Sequence, residues 1–135
     1  MRKYVLDTSA VLAFIEDEEG AEVVENLIVG VIDGINELYI STVTSIEVYY
    51  ISIQEQGRET ADERLRLIES LPLTEKPLNH ELIKVSGEIK ASKAMSFADS
   101  CIAGLSKFMK AVLVHKDPEF EQIENEIEQL KLPYK

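Results

Sequence analysis

Short apolar, β-branched runs alternate with helix-period segments along this chain, and that alternation restricts it to a layered α/β arrangement. Residues 3–6, 38–41 and 111–114 read as strands, with shorter extended pieces between Pro72 and Pro77 and near 131–134. Helices are expected at 10–15, at 20–35 (weakened by Gly30 and Gly34), and at 42–56, which ends near Gly57. Further helices follow at 59–70, from a cap at Asn79 to about 93, and from a cap at Ser96 through 110. Pro118 sits where a last helix can begin, carrying the acidic segment 119–130. A strand–helix order of this kind favours a central, mainly parallel sheet flanked by helices, whose sites lie beyond the carboxyl ends of the strands.

With 135 residues, the chain makes one ordinary domain, 1–135, with enough length to bury a core. Its 45% apolar and 29% charged residues match a soluble globular protein, and no apolar run approaches the roughly 18 residues that span a bilayer. No membrane partner is expected. The amino terminus enters its first strand without the basic region and apolar run of a secretory signal, and the single cysteine, Cys101, provides no internal disulfide. The expected compartment is the cytoplasm.

A formal charge of −11 argues against nucleic-acid binding by the surface as a whole. The stretch 84–116 runs the other way, with six lysines against Glu88 and Asp99, a local +4. Lys107, Lys110 and Lys116 belong to it and are candidates for a phosphate-binding rim; a solvated helix face explains the same run.

Four carboxylates are not fully explained by local structure: Asp7, Glu47, Asp99 and Asp117. Asp7 follows the first strand, with the Thr8 and Ser9 hydroxyls beside it, and can cap the next helix. Asp117 closes the loop after the strand ending at Val114, and Asp-Pro is itself a helix start. Asp99 stands three residues after Ser96, a variant of the capping box. On a helical wheel Ser45, Ser52 and Gln56 form a polar stripe, whereas Glu47 falls on the opposite side with Val43, Tyr50, Ile51 and Gln54. An acid on such a face must be neutral, hydrogen-bonded or bound to a cation. Convergence of the four would give an oxygen-rich site for a hard cation such as Mg²⁺ or Mn²⁺. It would also raise at least one carboxyl pKa in the metal-free protein.

Val5-Leu6-Asp7-Thr8-Ser9, Ser45-Ile46-Glu47, 96–103 (Ser-Phe-Ala-Asp-Ser-Cys-Ile-Ala) and 114–120 (Val-His-Lys-Asp-Pro-Glu-Phe) together resemble a PIN domain, in order, spacing and element context. The small size is similar to the VapC-type toxins of toxin–antitoxin pairs. The resemblance implies a single PIN-like α/β domain in which Asp7, Glu47, Asp99 and Asp117 hold one or two Mg²⁺ or Mn²⁺ ions. Thr8 or Ser9 would be the hydroxyls beside the first acid, and Ser100 a supporting hydrogen-bonding residue. Members commonly carry Thr or Ser two residues before the last acid, where this chain has His115, read as a local structural substitution.

The implied activity is metal-dependent endoribonucleolytic cleavage of single-stranded or structured RNA. Water activated by the metal would attack, leaving 5′-phosphate and 3′-hydroxyl ends. The implied assembly is a homodimer, with a cognate antitoxin protein as inhibitor. A catalytically silent PIN-like RNA- or protein-binding module is the alternative, in which the acids organise caps or hold a structural cation. The remaining glutamates of the tail, Glu119 among them, read as the solvated face of the last helix.

Overall fold

The computed structural model describes residues 1–134. Five strands among them form one all-parallel sheet: β1 (Arg2–Leu6), β2 (Asn36–Ser41), β3 (Thr74–Lys76), β4 (Val112–His115) and β5 (Gln129–Lys131), in the order β3-β2-β1-β4-β5. Six helices connect them: α1 (Thr8–Ile15), α2 (Ala21–Ile32), α3 (Thr42–Gln56), α4 (Arg58–Ser70), α5 (His80–Ser92) and α6 (Phe97–Met109). The sheet grows outward from β1 in one direction through β2 and β3, then resumes on its other side with β4 and β5. That reversal opens a crevice between the carboxyl ends of β1 and β4, where ligands bind in open α/β sheets.

Both faces of the sheet are covered, so its central strands are apolar on both sides. Val5 and Leu113 face a core built with Leu82 and Ile89 of α5 and Ile102 and Leu105 of α6. Their neighbours Leu6 and Val114 face a second core with Val11 of α1, Val24 and Ile28 of α2, and Ile68 of α4. The period-two alternation of the strands thus assigns each helix pair to its layer. No helix among the described residues is long and apolar enough to cross a membrane.

Three expectations need correction. The helix expected over 20–35 stops at Ile32, and β2 starts at Asn36, earlier than the hydrophobic run suggests. Its closeness to α2 depends on Gly30, where an added Cβ would lie 2.1 Å from Asn36 Nδ2. In α3, the buried residues are Val43, Thr44, Val48 and Ser52, while Tyr50 is exposed. Of the expected polar stripe, Gln56 is exposed and Ser45 half-buried, whereas Ser52 faces inward because α4 supplies a partner: Arg64 Nη1 donates to Ser52 Oγ at 3.0 Å. Finally, 119–130 is not one helix. Pro118–Ile123 is a 3₁₀ turn, after which the chain becomes β5. Glutamates at 124 and 128 repel at helical spacing, whereas an extended path lets Leu113 N–H bond Glu128 O (2.9 Å) and Leu132 N–H bond His115 O (2.7 Å).

Candidate functional site

Asp7 is placed by the sheet and by the helix it starts. Its N–H continues the β1–β4 ladder to Val114 O at 3.0 Å, and its Oδ1 accepts from Ala10 N–H at 2.8 Å as the N-cap of α1. Ser9 Oγ lies 2.7 Å from both carboxylate oxygens and itself accepts from Lys116 N–H at 3.0 Å. One hydroxyl therefore clamps the end of β1 to the loop after β4. The neighbouring Thr8 Oγ1 donates to Glu47 Oε1 at 2.6 Å, tying α1 to α3.

Asp99 enters from the first turn of α6, where its N–H donates to Ser96 Oγ at 3.1 Å, the capping half of the expected box. Asp117 caps the 3₁₀ turn, its Oδ1 accepting from Glu119 N–H at 2.9 Å. Glu119 then reaches across to α6, and its Oε1 accepts from Ser96 N–H at 2.8 Å. Asp99, Asp117 and Glu119 each present an oxygen, all within 4.8 Å of one another. Capping and clustering coexist because a carboxylate has two oxygens.

The electrostatics join Asp7 and Glu47 to that group. Burial, opposed by the bonds from Ser9 and Ala10 and reinforced by the charges of Asp99 and Asp117, pushes Asp7 up to about 7. Asp99 is likewise raised to about 7, by burial first and then by Glu119, Asp117 and Glu47. The crevice thus holds more negative charge than it can stabilise unaided, the condition that a cation relieves. Glu119 is the member that sequence reasoning assigned elsewhere, to a solvated helix. The available signal was its place two residues after Asp117 across a proline, a spacing that a tight turn folds back on itself.

The supporting residues divide. Thr8 and Ser9 lie at the acids, but Ser100 Oγ donates to Ser96 O at 2.8 Å within its own helix. The lysine rim does not assemble. Lys116 is buried, with Nζ on Glu19 O at 2.9 Å and Glu18 Oε1 at 3.6 Å. Lys107 pairs with Glu126 at 2.7 Å, and Lys110, past the carboxyl end of α6, shares a shallow cleft with Met1, Arg2 and Lys3 at the opposite edge of the sheet. The direction of α6 explains this: its amino end carries Asp99 to the crevice, so its carboxyl end points away. His115 is fully buried, held by Gln129 and by the Asp117 backbone, and burial keeps its imidazole below the ordinary value.

Residues 4–126 match the PIN domain family, and the chain belongs to that family. Among solved structures it is similar to VapBC2 from Rickettsia felis bound to a promoter DNA fragment, at 19% identity and a TM-score of 0.77 over 96% of this chain and 98% of that one. It is similar also to DNA-bound VapBC from Salmonella typhimurium (22% identity, TM-score 0.76, 97% and 98% covered). The sarcin-ricin-loop-cleaving toxin VapC20 of Mycobacterium tuberculosis shares 12% identity at a TM-score of 0.68, with 88% and 93% covered. At these identities the likeness is one of fold. No curated protein matches the sequence.

Proposed function

We propose that this protein is a divalent-metal-dependent endoribonuclease, the toxin of a VapBC-type toxin–antitoxin pair. The observation that carries the reading is the convergence of Asp99, Asp117 and Glu119, with Asp7 and Glu47 coupled to them. Their donors are all carboxylate oxygens, which suit one or two Mg²⁺ or Mn²⁺ ions rather than a softer metal. Bound among them, such an ion would supply the positive charge that offsets a phosphodiester and makes water acidic enough to attack it.

The chain's own residues prepare that site. Ser9 and the α1 amino end fix Asp7, Thr8 fixes Glu47, and the Ser96 backbone fixes Glu119. Asp7 and Asp99, near pH 7 still partly protonated, would release their protons as a cation binds. No side-chain nucleophile is needed, and the products would carry 5′-phosphate and 3′-hydroxyl ends. Membership in the PIN family and the likeness to VapBC assemblies favour a cognate antitoxin protein, a homodimer and a cytoplasmic setting.

The test is incubation of the purified chain, freed of any antitoxin, with a mixed pool of single-stranded and hairpin RNA, with Mn²⁺, with Mg²⁺ and with chelator, beside Asp7→Asn. Metal-dependent 5′-phosphate products that the variant does not make are expected. If the metal-loaded protein leaves every RNA intact, the nuclease reading fails and a silent binding module takes its place.

A further inference from the structure

We propose that His115 is a positioning residue that fixes Asp117 through its backbone, an inference that rests on the metal-centre reading above. His115 ends β4 and is fully buried. Its Nδ1 accepts the Asp117 N–H at 3.1 Å, so that nitrogen carries no proton. The proton of the neutral ring is then on Nε2, which donates to Gln129 Oε1 at 2.8 Å. Gln129 is oriented in turn, because its Nε2 donates to Phe120 O at 2.7 Å. The relay runs from the Asp117 amide through imidazole and carboxamide to the backbone just past the 3₁₀ turn's start, and each link dictates the polarity of the next.

Packing keeps the ring in this pose. Phe120 lies 5.0 Å away at 54°, and Tyr134 stacks at 6.1 Å and 27°. A ring protonated on Nδ1 would set one N–H against another, and a flipped ring would offer the Asp117 amide a C–H in place of an acceptor. With its amide held, Asp117 closes the turn: its carbonyl accepts from Phe120 N–H at 3.2 Å, and its Oδ1 takes the Glu119 N–H. The second carboxylate oxygen is left for the acid cluster. His115 touches neither substrate nor cation in this arrangement; it sets where Asp117 can be.

The proposal separates volume from hydrogen bonding, and two substitutions test it. His115→Leu fills the space but leaves the Asp117 amide without an acceptor. His115→Thr leaves a void beside Phe120, yet its hydroxyl can accept from the N–H two residues on. Mn²⁺ affinity of the metal-free protein, followed by electron paramagnetic resonance of the free ion, should fall roughly 10- to 100-fold in the leucine variant, as for other residues that orient metal ligands. The threonine variant should stay closer to wild type although it melts at a lower temperature. Imidazole ¹⁵N shifts of the unmutated protein should report the neutral Nε2–H tautomer. A proton on Nδ1, wild-type affinity in His115→Leu, or affinities that simply follow melting temperature would each overturn the assignment. Asp117→Asn keeps the two readings apart. If it weakens Mn²⁺ binding while His115→Leu does not, only the positioning role fails; if it leaves binding unchanged, the metal centre itself is wrong and the role falls with it.

Discussion

A carboxyl such as that of Asp99, raised to about 7 by burial and by three neighbouring acids, opposes folding whenever it is ionised and the crevice holds no cation. Asp99→Asn should therefore melt higher than wild type at pH 7.5 in chelator, gain nothing from Mn²⁺, and lose cleavage by orders of magnitude; a lower melting temperature with an intact Mn²⁺ response would contradict this. Glu119→Gln keeps an oxygen for the Ser96 N–H but removes a charge, so Mn²⁺ affinity, read by isothermal titration, should weaken without loss of fold. Asp7, Asp99 and Asp117 were legible because each stands at an element end that the sequence marks. Glu47 was legible for an inexact reason, since the face it shares with Tyr50 borders solvent and its bond to Thr8 is what places it. Glu119 was hidden by the run of glutamates that follows it, because like residues give pattern reading nothing to separate a bent turn from a helix.

Helices α5 and α6 approach closely at Gly104. A Cβ on Gly104 would stand 2.2 Å from Ser86 Oγ and 3.1 Å from Ser86 Cα, so glycine is what lets the two backbones meet. Ser86 Oγ is buried there without a hydrogen-bond partner among the described residues. Ser86→Ala should accordingly leave stability unchanged or raise it by about 1 kcal/mol in denaturant unfolding, since a buried unpaired hydroxyl is removed. Gly104→Ala should cost about 1–3 kcal/mol through overpacking, and only part should return when combined with Ser86→Ala, because the backbone contact remains. Helices α3, α4, α5 and α6 were readable from periodicity and end signals, and the Ser96 cap of α6 is made, whereas Asn79 precedes α5 without a side-chain capping bond. The segment after Asp117 was not, because its fate is decided by the free edge of β4, a partner more than a dozen residues away for β5. The inward face of α3 was misread for a related reason: Ser52 is tolerated inside only because Arg64 arrives from the next helix.

Across the whole molecule, the sheet order assembles the acids. β1 and β4 are neighbours although residues 7 and 117 are far apart in sequence, and their strands run the same way. The parallel arrangement was readable from the alternation of strands and helices, but the expected lysine rim was not tested by composition alone: net charge says nothing of which end of α6 a lysine occupies. Asp7 and Asp99 have folded-state values near 7, against about 4 for an unfolded carboxyl. A raised value means that their contribution to stability is fully present below about pH 4 and is lost as pH rises through 7. Metal-free protein should thus melt at progressively lower temperature from pH 4.5 to 7.5, with Mn²⁺ restoring stability at pH 7.5 and having little effect at pH 4.5; a metal-free profile that rises over this interval, or equal Mn²⁺ responses at both ends, would contradict the coupling. The same topology governs what happens during synthesis. Asp7 leaves the ribosome early, but β4, Asp117, Glu119 and the β5 residue that orients His115 emerge only after all the helices. No fragment ending before β4 can gather the acids, so under the proposed function a product of stalled translation or a broken message would be inert, and the chain would be unable to attack its own template while still half made.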